Sequence, residues 1–124
     1  MPAKLTIPNQ GPMSQFVGAF DVSSKLTDEV CHVRFSHLWN AISTRHSDTV
    51  DTKFFVNGRG VIVGLAHLGL ARFAVSAGRN LTDREASFVA AEFLRSRLQE
   101  DDERPLYQVP PDDVLSLIQK LGIS

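Results

Sequence analysis

Two short apolar runs, Phe54-Phe55-Val56 and Val61-Ile62-Val63, stand on either side of Asn57-Gly58. Asn-Gly is the pair that supplies positive φ at both central positions of a type I′ turn, whose twist matches that of two paired strands. This spacing predicts a β-hairpin over 52–65, and no other feature of the chain restricts its fold as tightly. Upstream, Gln15 to Val22 reads as a first strand that ends at a Ser23-Ser24-Lys25 turn. The stretch from 28 to 43 satisfies two periods. Cys31, Val33 and Phe35 alternate with polar residues, while Cys31, Phe35, Leu38, Trp39 and Ile42 share a helical face. Its Val, Phe, His and Cys content favours strand over helix. The expectation is therefore a strand at 29–35, then a short helix N-capped by Ser36, then a polar loop from Thr44 to Asp51.

The second half of the chain reads as helical. From Ala66 to Ala77 only His67, Arg72 and Ser76 are polar or charged, the pattern of a buried helix, and Gly78 ends it. Thr82-Asp83-Arg84-Glu85 has the form of a capping box, in which the Thr82 hydroxyl and the Glu85 carboxylate satisfy each other's backbone N–H groups. The helix it opens runs to about Gln99. Residues 100–105 are acidic and then Arg-Pro, a solvated linker. Pro110-Pro111-Asp112-Asp113 opens a last helix, with proline in the first turn and acids at the positive end of the dipole. Strands first and helices after give an α+β fold: a small antiparallel sheet of about four strands packed against C-terminal helices. The expected organisation is an arm over 1–13, a core domain over 14–100, and a linker with an amphipathic helix over 101–124.

Composition narrows the function classes. The chain has 124 residues, 43% hydrophobic and 22% charged, which suits one globular domain. Its 13 basic and 14 acidic residues leave a net charge of −1, so there is no overall electrostatic footprint for nucleic acid, although a local patch can hide within a neutral total. Cys31 is the only cysteine, which rules out an intramolecular disulfide or a cysteine zinc cage and fits a reducing compartment. No secretory signal or apolar membrane span is present, so the expected location is the cytoplasm.

The histidines are the natural place to look for chemistry. His32 and His37 are five apart and do not share a face in either regular structure, so they make no metal pair. His67 opens a mostly apolar helix and shares its face with Leu70, Ala71 and Ala74. With Arg72, and with His46 and Asp48 from the polar loop, it makes a candidate ligand site between sheet and helices, because histidine titrates near neutral pH and a His–Asp pair is what a general base requires. No nucleophile accompanies them. Gly58, Gly60 and Gly64 surround a hairpin rather than a strand-to-helix turn, so they form no dinucleotide fingerprint. The sequence specifies no cofactor.

Two features point towards partners. Phe88 falls on the polar stripe of its helix, and the last helix presents Val114, Leu117, Ile118 and Leu121 as one apolar stripe. These five residues form a candidate interface, within the chain or across a homodimer, closed dimers being the commonest assembly. The sequence reading is thus a small non-catalytic binding or assembly module that self-associates. Its alternatives are a His-centred ligand pocket and, more distantly, a nucleic-acid regulator.

Overall fold

A computed structural model describes residues 17–41 and 49–124. In chain order the elements are β1 (Ala19–Ser23), β2 (Val30–Ala41), β3 (Thr49–Val56), β4 (Arg59–Ala66), α1 (His67–Ala77), α2 (Asp83–Gln99), β5 (Leu106–Val109) and α3 (Pro111–Lys120). The expected arm over 1–13 and the loop residues His46 and Asp48 lie outside the described residues.

The hairpin forms as its turn chemistry requires. Asn57 and Gly58 adopt φ of 50° and 85°, and Val56 pairs with Arg59 across them. Asn57 does more than turn the chain. Its N–H donates to the His32 carbonyl and its Oδ1 accepts from the His32 N–H, which ties the hairpin tip to β2.

All five strands join one sheet in the order β1-β2-β3-β4-β5, an antiparallel meander of four with β5 added parallel to β4. The fold is α+β, with a mostly antiparallel sheet packed against the C-terminal helices. β5 was not expected, because Pro105 and Pro110 bracket a run of four residues that reads as linker. Tyr107 and Val109 nevertheless point into the core while Leu106 and Gln108 point out, and the Pro105 carbonyl accepts from Ile62 N–H at the edge of β4.

The stretch expected to be strand then helix is strand throughout. β2 carries a bulge between Phe35 and His37, so the residues facing the core change phase: Val33 and Phe35 pair with inward Val56 and Phe54, and after the extra residue Leu38 pairs with inward Thr52. A one-residue insertion in a period-two pattern reads, in sequence, like a switch to a helix.

One face of the sheet is filled. Val33, Phe54, Val56, Val61, Val63, Leu65, Tyr107 and Val109 are buried there beneath Ala86, Phe88, Val89, Ala90 and Leu94 of α2 and Val114 and Ile118 of α3. The capping box at Thr82 is complete, with the Thr82 hydroxyl accepting from Glu85 N–H and the Glu85 carboxylate accepting from Thr82 N–H. α3 docks on α1 within the same chain. Gly69 makes this possible: a Cβ there would come within 2.8 Å of Val114 Cβ and 2.9 Å of the Pro111 carbonyl oxygen. α3 is also held to α2, where the buried Glu92 carboxylate meets Arg95 Nη2 and Lys120 Nζ, each at 2.7 Å. Burial pushes the Glu92 carboxyl up, but hydrogen bonds and charges from Arg95 and Lys120 outweigh it and hold the group below the ordinary carboxylate range.

This packing bears on two expectations. Phe88, Val114 and Ile118, expected to be covered either within the chain or by a second subunit, are enclosed by the chain's own core, while Leu117 and Leu121 are half-buried against that core. α1, expected to be buried nearly all round, buries only Gly69 and Phe73. Leu68 and Val75 are 51% and 87% exposed, because α1 lies at the flank and has one packed side.

Candidate functional site: the sheet face opposite the helices

The strands alternate, so a sheet with helices on one side presents every second residue on the other. The register fixes what lies on that second face. Arg34 of β2 pairs with Phe55 of β3, which pairs with Gly60 of β4. The next outward row is His37, Lys53, Ile62 and Leu106, and the one after it is Trp39, Asp51, Gly64 and Gln108. Asp21 and His32 continue the face beyond Arg34.

Phe55 is its centre. The Arg34 guanidinium carbon lies 4.7 Å from the ring centroid and the Lys53 Nζ 5.4 Å, so one half-buried aromatic is bracketed by two cations. Such contacts contribute about 0.5–1 kcal/mol each where water still reaches them. Among the described residues neither cation has a carboxylate partner. The glycines leave the room for this arrangement: a Cβ on Gly60 would meet Lys53 Cε at 3.1 Å, and one on Gly64 would meet Asp51 Oδ1 at 2.9 Å.

The two ends of the face differ. At one, Asp21 accepts a hydrogen bond from His32 Nδ1 at 2.8 Å, which occupies both groups. At the other, the His37 and Trp39 rings stack with centroids 5.0 Å apart, and Asp51 accepts from the Thr49 hydroxyl at 2.7 Å. Trp39 is 37% exposed and Leu106 49%, which are large apolar groups to leave in water.

The residues singled out in the sequence are dispersed. His67 sits exposed at the start of α1, on a cavity of about 480 Å³ walled by Val50, Leu70, Leu81 and Ala86 and edged by Asn80 and Asp83. Arg72 is not with it. It belongs to a groove of about 600 Å³ between α1 and α3 and pairs with Asp112 at 3.2 Å. Among the described residues no three His, Cys, Asp or Glu side chains gather as metal ligands do. Cys31 is half-buried on β2. Burial and the Glu103 carboxylate push its thiol up, away from the thiolate that nucleophilic chemistry needs.

Arg34, Lys53, Phe55 and Trp39 were not singled out by sequence reasoning. A signal for Phe55 was present: Phe54 and Phe55 are adjacent in a strand, so one of them must face away from the core. Arg34 already falls on the outward side of the strand expected at 29–35, whereas Trp39 could be placed only once the bulge in β2 was known. Compared with known proteins, the chain matches no family model, no curated protein and no solved structure.

Proposed function

We propose that the chain is a non-catalytic binding module that docks a partner through the sheet face that no described helix covers. The observation that supports this reading most directly is Phe55 held between Arg34 and Lys53, two cations without a carboxylate partner among the described residues, on a face that also exposes Trp39 and Leu106. Aromatic and arginine side chains at the centre of a patch are the groups that dominate binding energy at interfaces. Arg34 and Lys53 also keep the free face in water, as charged groups on an exposed sheet surface do, and the docked state would use the same groups against a partner. A catalytic reading finds less support, since the described residues assemble no nucleophile with a base and the one thiol is held protonated.

The test is a photo-crosslinking amino acid placed at position 55 and, as control, at exposed Gln119 on α3, in the full chain expressed in cells. The docking reading expects adducts from position 55 and few or none from position 119. Equal labelling at both, or none at 55, would refute it.

The cavity beside His67 supports a second reading, a small apolar ligand with a polar head at Asn80, Asp83 and His67, since its volume lies within the usual range of roughly 300–1,000 Å³ for ligand sites. A ligand present at 100 times its dissociation constant adds about 2.7 kcal/mol to stability. A panel of metabolites that leaves the thermal midpoint unmoved would remove this reading.

A further inference from the structure

The sheet face opposite the helices is self-complementary, and we propose that its occupant is a second copy of this chain, the two sheets packed face to face about a twofold axis. This rests on the docking reading above and adds the identity of the partner.

Charge and position both favour a second copy. Lys53 belongs to the middle row with His37 and Ile62, yet its ammonium lies over Phe55, so both free cations gather at the Arg34–Phe55 row. The row on the other side of the middle carries the Asp51 carboxylate and the exposed Trp39 ring. A twofold axis lying along the middle row exchanges these two rows. Arg34 and Lys53 of one copy then face Asp51 and Trp39 of the other, twice per dimer, and Ile62 and Leu106 meet their own counterparts near the axis. Arginine on tryptophan and cation on carboxylate are both favourable contacts, and closed pairs of this isologous kind are the commonest assembly. Aligned packing of two sheets is an ordinary way to bury such faces.

A polyanion fits this surface less well. Asp21 and Asp51 stand at its two ends, and two carboxylates balance the two free cations, so a nucleic-acid strand crossing the face would meet a like charge at either end. Four strands about 4.8 Å apart and six residues of about 3.4 Å rise give a footprint on the order of 400 Å². That is small for a permanent interface, so the expected dimer is reversible and micromolar.

The experiment is sedimentation equilibrium of the full chain, with circular dichroism to confirm that each variant is folded. The wild type should dimerise reversibly. R34D presents acids to acids and D51R presents cations to cations, so each should weaken its own dimer on the order of 10- to 100-fold, from two altered charge pairs. Mixing the two variants should restore the dimer as a heterodimer, because each reversed charge then meets its opposite. W39S, a change of an exposed side chain outside the core, should weaken the dimer as well and serves where a charge reversal disturbs folding. A wild type that stays monomeric overturns the proposal, as do variants that dimerise like the wild type or a mixture that stays apart. Binding of a single-stranded oligonucleotide that R34D abolishes would assign the cations to phosphate and also overturn it. A monomeric chain that still gives position-55 adducts with another protein would overturn self-association while leaving the docking reading in place.

Discussion

Gly69→Ala is a small change with opposed consequences, and their balance tests how the C-terminal helix is seated. Within an exposed helix the substitution stabilises by about 0.8–1.0 kcal/mol, because alanine loses less backbone entropy than glycine. At position 69 the new methyl would lie 2.8 Å from Val114 Cβ, 2.9 Å from the Pro111 carbonyl oxygen and 3.1 Å from Pro111 Cα. Carbon atoms prefer separations of about 3.5–4.0 Å, so the α1–α3 contact must open by several tenths of an ångström. Two of the three obstructing atoms are backbone and the third is the Cβ of a fully buried valine, so no rotamer change relieves the overlap. Overpacking of this kind costs about 1–3 kcal/mol, and backbone obstruction places it towards the upper end. The expected net effect is a loss of about 1–2 kcal/mol, or a fall of roughly 3–10 °C in Tm for a domain of this size. Urea unfolding with Ala71→Gly as companion separates the terms. Ala71 is exposed on the same helix, so its change should show the propensity cost alone. A Gly69→Ala chain as stable as the wild type, or more so, would refute the packing of α3 on α1.

Glu92→Gln keeps hydrogen-bonding capacity but removes the charge facing Arg95 and Lys120, and should cost about 1–2 kcal/mol at neutral pH. Because the folded carboxyl lies below its unfolded value, its stabilisation is present above the ordinary glutamate range of about 4.3 and is lost as pH falls through the folded value. Denaturation across an acid series should therefore show the wild type and the variant converging at low pH. Tyr107→Phe removes an O–H that donates to the Asp102 carbonyl at 2.5 Å and accepts from Arg104 N–H at 2.9 Å, and should cost about 1–2 kcal/mol by the same assay. Gly58→Ala places a Cβ at φ 85° in the hairpin turn and should destabilise by about 1–2 kcal/mol; an unchanged unfolding midpoint would mean the turn is not type I′.

What could be read from the residues followed from how local the determining physics was. The Asn57-Gly58 turn, the Thr82 capping box and the Gly78 helix end each depend on a few adjacent residues, and all three form as their chemistry demands. β5 could not be read because its four residues are a strand only by virtue of β4, which lies some forty positions earlier. The second half of β2 was obscured by a single extra residue at Ser36, which shifts the phase of the alternation. Whether Phe88 and α3 are covered within the chain or by a second subunit could not be read for the same reason: an apolar stripe shows that a helix must be covered, and Gly69, the residue that lets α1 cover it, carries no apolar signal. The open face had no compact motif at all. Arg34, Lys53, Phe55 and Trp39 meet only through cross-strand register, while His67 and Arg72, five residues apart on α1, face different neighbours.

Trp39 is the chain's single tryptophan and lies on the proposed docking face, which makes its fluorescence a direct report on that face. The decisive measurement is acrylamide quenching of Trp39 emission across several decades of chain concentration, with R34D as the weakened reference. Docking of two such faces predicts that quenching falls and emission shifts to the blue as concentration rises through the dissociation constant, and that R34D makes the same change only at concentrations about 10- to 100-fold higher. Quenching that is the same at every concentration, or identical in R34D, would contradict face-to-face association.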